Sequence, residues 1–190
     1  MWVSIMGAPG AAKQNIAELL KEFDLHQLKL EGSSQLAYYL NRLTCQKMIE
    51  EETNDRDIVT IGSVWEAVEV YARVARDRKE ISDEDWRIIY GIYKNSTFIP
   101  PHAVIHSCPV QMTSYNKMML DGENTIDQEY FSAIVSAYEN LVKRIAIPLV
   151  KIERIENIND LRSDVEFSLA SLKSSGLGTQ SFWKRTMFKE

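Results

Sequence analysis

Five short apolar runs, Trp2 to Met6, Gln27 to Leu30, Ile58 to Ile61, Ala103 to Ser107 and Ile147 to Ile152, alternate with longer stretches of helical period. Runs of this length and apolarity suit strands buried on both faces, and the intervals are long enough for the crossover helices that parallel strands require. The pattern predicts an α/β chain with a five-stranded parallel sheet flanked by helices, in three layers and one domain. Helix starts punctuate the intervals, because Ser63-x-x-Glu66, Ser82-x-x-Asp85 and Thr125-x-x-Gln128 each resemble a capping box that satisfies orphan amides. Between Ser34 and Glu52, the residues Leu36, Tyr39, Leu40, Leu43 and Met48 recur every three to five positions and predict one broad apolar helix face. The domain is expected over 1–174. The remaining segment, 175–190, is rich in Ser, Gly and Thr before Phe182-Trp183-Lys184-Arg185, and reads as a tail either free or pinned by its aromatics.

Charge and composition narrow the function classes. A formal net charge of -5 leaves no basic surplus for tracking a phosphate backbone, which argues against general nucleic-acid binding. Cys45 and Cys108 form neither a disulfide framework nor a zinc spacing, and Met-Trp-Val-Ser-Ile-Met at the start lacks a basic leader and is too short to span a bilayer. A cytoplasmic protein without membrane contact is the expectation. His26, His102 and His106 give no metal motif, since Ala-Val-Ile between the last two reads as buried strand, and no metal site is assigned.

Directly after the first strand stands Gly7-Ala8-Pro9-Gly10-Ala11-Ala12-Lys13-Gln14, followed by the helical run Ile16 to Phe23. This is the placement of a phosphate-binding loop, in which glycines let backbone amides approach phosphate oxygens, a lysine reaches the outer phosphates and a hydroxyl coordinates magnesium. Gly7, Gly10 and Lys13 fit, whereas Ala12 replaces the second glycine of the motif and Gln14 replaces the hydroxyl. An amide oxygen is a poor substitute ligand for a cation that demands tight octahedral geometry. Read on its own, the octapeptide fits equally a strand-to-helix turn without a ligand.

The order of motifs, together with Ser63-Val-Trp-Glu-Ala-Val-Glu-Val-Tyr-Ala-Arg and Ile81-Ser-Asp-Glu-Asp-Trp-Arg-Ile-Ile-Tyr, resembles the deoxynucleoside kinases over Trp2 to Glu153. These P-loop kinases pass the terminal phosphate of a nucleoside triphosphate to a deoxynucleoside 5'-hydroxyl. The resemblance implies ATP and Mg2+ as cofactors, a nucleoside or nucleotide ligand, and a homodimer paired through helices. It implies that Glu31 is the general base, that Gln35 and Arg42 hydrogen-bond the nucleobase, and that Glu129, beside Tyr130, accepts from the sugar 3'-hydroxyl. Gln35 and Arg42 stand two helical turns apart and can share one face, although solvated helix residues and an acidic first-turn Glu129 remain the plainer readings.

Departures from the family pattern concentrate where phosphate is handled. The third strand of these kinases ends in an acidic residue, an arginine and a Ser or Thr, and the corresponding residues here are Ile61, Gly62 and Ser63. Ala67 replaces a base-contacting aspartate, with Glu66 beside it as a partial substitute. Tyr115-Asn-Lys-Met-Met-Leu-Asp-Gly-Glu-Asn124 has Lys117 as its only cation where family members place several lid arginines, and it adds Asp121 and Glu123. A transition-state arginine in phosphoryl transfer is worth about 10³ to 10⁵ in rate. The favoured expectation is therefore a pseudokinase that binds a nucleoside or nucleotide or serves as a regulatory subunit. Two others stand beside it. One is an unconventional kinase using Lys13, Glu31, Gln14 and Lys117. The other is an interaction scaffold that pairs through Val64, Trp65, Val68, Val70 and Tyr71 or docks its terminal Phe182, Trp183, Met187 and Phe188 on a partner.

Overall fold

The computed structural model describes residues 1–28, 39, 42, 45, 46, 48–52, 57–108, 115, 127–153, 155, 157–174 and 187. Its five strands are β1 (Trp2–Met6), β2 (His26–Leu28), β3 (Ile58–Ile61), β4 (Ala103–Ser107) and β5 (Leu149–Ile152), paired in the order β2-β3-β1-β4-β5. Every neighbouring pair is parallel. Both faces of the central strand are buried, as its mostly apolar run, interrupted only by Ser4, leads one to expect. Val3 and Ile5 pack with Ile16, Leu20, Val59, Ile105, Leu161 and Val165 on one side, while Trp2 and Met6 pack with Ile58, Val68, Val104 and Tyr138 on the other.

The helices that cover these faces are α1 (Lys13–Lys21), α2 (Val64–Glu66), α3 (Arg73–Asp77), α4 (Asp83–Asn95), α5 (Gln128–Arg144) and α6 (Ile158–Ser174), with a π-helical stretch, Ala67–Ala72, joining α2 to α3. Single wide turns of this kind recur at functional sites, and this one begins directly after Glu66. None of the helices among the described residues is long and apolar enough to cross a membrane.

Several expectations are corrected. β5 begins at Leu149 rather than Ile147, because Pro148 has no N–H to give the ladder, although its carbonyl accepts from Val104 N at 2.9 Å. The cap of α5 is Asp127, whose carboxylate accepts from Tyr130 N at 2.6 Å, and not Thr125, which lies outside the described residues. Met48 is exposed, so it does not belong to the buried face that Tyr39 and Ile49 do join. Val64, Trp65, Val68 and Val70 are at most 4% exposed within a single chain, filling its own core rather than offering a dimer face. In the C-terminal segment, Met187 is buried in that core and its carbonyl accepts from Ala146 N at 2.9 Å.

Candidate functional site

The carboxyl ends of β1, β3 and β4 converge on the loop 7–12. From β1 the chain winds toward β2 and β3 and then crosses to β4 on the other side, which makes this edge the topological switch point, where open parallel sheets commonly take their ligands. A side chain at Gly7 is impossible, since a Cβ there would stand 2.5 Å from Ser107 O. Gly10 follows with φ 73°. Ala12, the N-cap of α1, holds φ 51° and ψ 28°, the left-handed conformation that glycine takes without strain and alanine adopts at about 1 kcal/mol. The loop thus keeps its turn despite the missing glycine. Ser107 Oγ donates to Ala11 O and fastens the loop to β4. No side chain caps α1, so its N-terminal amides and dipole face the loop mouth, an arrangement that favours an anion. Lys13 Nζ, half-buried, donates to Gly7 O and, at 3.0 Å, to Ala8 O, holding its charge at the same mouth.

Behind the loop sits Glu66, 3% exposed. Ser63 Oγ accepts from Glu66 N at 3.3 Å, half of the predicted capping box, but the glutamate does not reach back to Ser63. Its Oε1 accepts instead from Gly7 N at 3.3 Å and from the Tyr138 hydroxyl. Burial first, and then the adjoining carboxylate, push the Tyr138 phenol well above its ordinary value, so it stays protonated and donates. Tyr71 OH lies 3.3 Å from the same hydroxyl. His106 stacks on the Tyr138 ring at 5.8 Å, and burial, followed by the charges of Lys151 and Lys13, pushes it down to about 4. It is a neutral core imidazole whose Nδ1 has no hydrogen-bond partner among the described residues. His102 is also structural, its Nδ1 accepting from Trp2 N at 2.9 Å.

Of the residues singled out from the sequence, Gly7, Gly10, Lys13, Glu66 and Arg42 gather at this edge. Arg42 Nη1 donates to Ile61 O at 3.2 Å. Gln14 turns away, its amide nitrogen donating to Glu18 Oε1 at 2.7 Å and facing Gln27 on β2. Glu129 is exposed in the first turn of α5, where its backbone N–H donates to the capping carboxylate of Asp127. Glu31, Gln35 and Lys117 lie outside the described residues. Tyr138, Ser107 and the room left by Gly62 are site features that the sequence alone did not reveal, since each acts through a partner more than two residues away in the chain.

Among the described residues the donor set does not fit a protein-held magnesium ion. The motif hydroxyl is absent, the Gln14 amide is engaged with Glu18 and Gln27, and no group of three His, Cys, Asp or Glu among the described residues could hold a metal. Phosphate fits better, with an uncapped helix start, a glycine-shaped loop and one lysine at its mouth.

Comparison with known proteins bears on this geometry in two ways. The chain is similar to solved structures of deoxyadenosine kinase from M. mycoides: one with the products dCMP and a flexible dCDP (TM-score 0.73, 20% identity, covering 92% of this chain and 100% of that one). Another holds dATP (0.71, 19%, 91% and 100%) and a third dCTP (0.68, 18%, 92% and 100%). At such identities the likeness establishes the fold. No curated protein sequence matches. A model of the family described as deoxynucleoside kinase, however, matches residues 12–172, from the last residue of the loop through most of α6. With that match spanning most of the chain, on the sheet order and loop described above, the protein belongs to the deoxynucleoside kinase family.

Proposed function

We propose that this protein binds a deoxynucleoside or deoxynucleotide at the carboxyl edge of its sheet and transfers phosphate slowly or not at all, as a pseudokinase or regulatory subunit. The observation that carries the reading is Ala12. A left-handed alanine is an unfavourable way to enter a helix, yet the turn that brings loop amides to a phosphate is kept. Gly7, Gly10, Lys13 and the start of α1 are assigned to the phosphates. Gln35, Arg42, Glu66 and Glu129 are assigned to the nucleoside, and Glu31 to the position of the general base. Against rapid transfer stand Gln14, which faces β2 instead of the loop, and Gly62, which supplies no arginine at the end of β3.

The neighbouring structures hold dATP, dCTP and dCMP, and these are the ligands to test. Thermal denaturation with each, at 100 times its dissociation constant, should show about 2.7 kcal/mol of added stability. Labelled ATP with common deoxynucleosides should give turnover below about 0.1 per second, against roughly 1 to 100 for working kinases. Indifference to every nucleoside and nucleotide would defeat the binding claim, and turnover in the ordinary range would defeat the pseudokinase claim.

A further inference from the structure

Gly7, the first residue of the loop, is held from both ends. Its N–H donates to Glu66 Oε1 at 3.3 Å, and its carbonyl accepts from Lys13 Nζ. The carboxylate reaches this place because Gly62, with φ +79°, leaves room for it: a Cβ on Gly62 would overlap Glu66 Oε2. Gly62 is fixed in turn by its own N–H, which donates to Ile5 O at 2.8 Å on the strand that leads into the loop. From the other side the Tyr138 hydroxyl donates to the same Oε1. Glu66 is 3% exposed, so water and salt screen its charge little, and that charge acts on whatever the loop holds. An anion at the loop thus meets a first amide already committed to a carboxylate, and a lysine whose field that carboxylate opposes.

We propose that Glu66 is a specificity-determining residue of the phosphate site, where its charge sets a penalty that grows with each phosphate, so that the site takes a deoxynucleoside monophosphate in preference to the triphosphate. The inference rests on the nucleotide-binding reading above; it names the ligand class and assigns the effect of Glu66 to the phosphates rather than to the sugar or base. One phosphate gains the start of α1 and the charge of Lys13. Further phosphates raise the negative charge of the ligand while the same carboxylate stays in place behind the loop, and repulsion between poorly solvated charges falls off only slowly with distance. An uncharged nucleoside neither gains nor loses by it.

Calorimetric titration of deoxycytidine, dCMP and dCTP, one base in three charge states, into the wild type and Glu66→Gln in Mg2+-free buffer tests this. Glutamine keeps an oxygen to which Gly7 N–H and Tyr138 can donate and removes the charge, and circular dichroism melts check that the variant is folded. Glu66→Gln should bind dCTP about tenfold more tightly, dCMP about threefold more tightly, and deoxycytidine as the wild type does. In the wild type itself dCMP should bind more tightly than dCTP, a comparison that stands even if the variant does not fold. Weaker dCTP binding by Glu66→Gln would make the carboxylate a support of the loop and overturn the proposal, as would unchanged binding, equal changes for all three ligands, or wild-type dCTP binding tighter than dCMP. Failure of the underlying reading is recognised separately: neither protein would then bind any of the three.

Discussion

Glu66 and Glu69 stand one turn apart in the same helical stretch, each 3% exposed, and they are held in opposite ways. Glu69 Oε2 accepts from Arg73 Nη2 at 2.7 Å and Arg144 Nη2 at 2.9 Å, and the Tyr93 phenol, raised by burial and then by Glu69 itself, also donates to it. Glu66 has no cation within ion-pair distance among the described residues. It is held by a backbone amide of the loop and a tyrosine hydroxyl. A buried charge that brings its own cations ties helices together, and its chemistry is closed. A buried charge held by neutral donors behind a loop is an arrangement that binding sites use, because a ligand on that loop can still change what it meets.

The largest expected effect separates the two. Glu69→Ala removes the shared acceptor of two arginines, and breaking such a pair costs about 3 to 5 kcal/mol. The lower figure is expected, since Arg73 and Arg144 are 42% and 43% exposed and can turn to water. Urea unfolding measures the loss, and the dATP dissociation constant should stay unchanged; a tenfold weakening of dATP would erase the distinction between the glutamates.

Next comes the packing behind Glu66. His106 has a native value of about 4 against 6.5 when unfolded, so between those pH values the unfolded chain binds more protons. Stability that is fully present above pH 6.5 is withdrawn as pH falls through this window, by about 3 kcal/mol in all. Urea midpoints from pH 7 to pH 4 should fall more steeply for the wild type than for His106→Phe, which keeps an aromatic ring against Tyr138. Parallel slopes would contradict the assignment.

Tyr138→Phe deletes one of the two neutral donors to Glu66 and is expected to cost about 2 kcal/mol, the scale of a hydrogen bond to a charged group. If stability is untouched, Glu66 is not held as described. Ala12→Gly gives the smallest change and the opposite sign, a gain of about 1 kcal/mol or less from relieving the left-handed alanine. For a chain of this size that amounts to a melting temperature about 2 to 4 °C higher, whereas a lower one would mean that the alanine carries no strain.

Much of the fold was legible because it follows from local pattern. Trp2 to Met6, Ile58 to Ile61 and Ala103 to Ser107 are mostly apolar and became strands with the expected limits. Gly7 and Lys13 were legible as well, through their place between a strand and a helix. The rest depended on partners distant in the chain. Ile61 and Gly62 read as losses, since a sequence does not display the space that an absent side chain leaves, nor that Glu66 fills it. Tyr138 carries no motif and matters because α5 crosses behind the loop. Asp127, the cap of α5, also pairs with Arg78 at 2.9 Å, a contact outside any local pattern.

Calorimetric titration of dATP into the wild type and Lys13→Ala, with and without Mg2+, addresses whether a loop with alanine at its left-handed position still holds phosphate. Saturable binding that depends little on Mg2+ and weakens at least about tenfold in Lys13→Ala is the predicted result. Wild-type protein that takes up no dATP at millimolar concentration, or binds it equally well without the lysine, would contradict it.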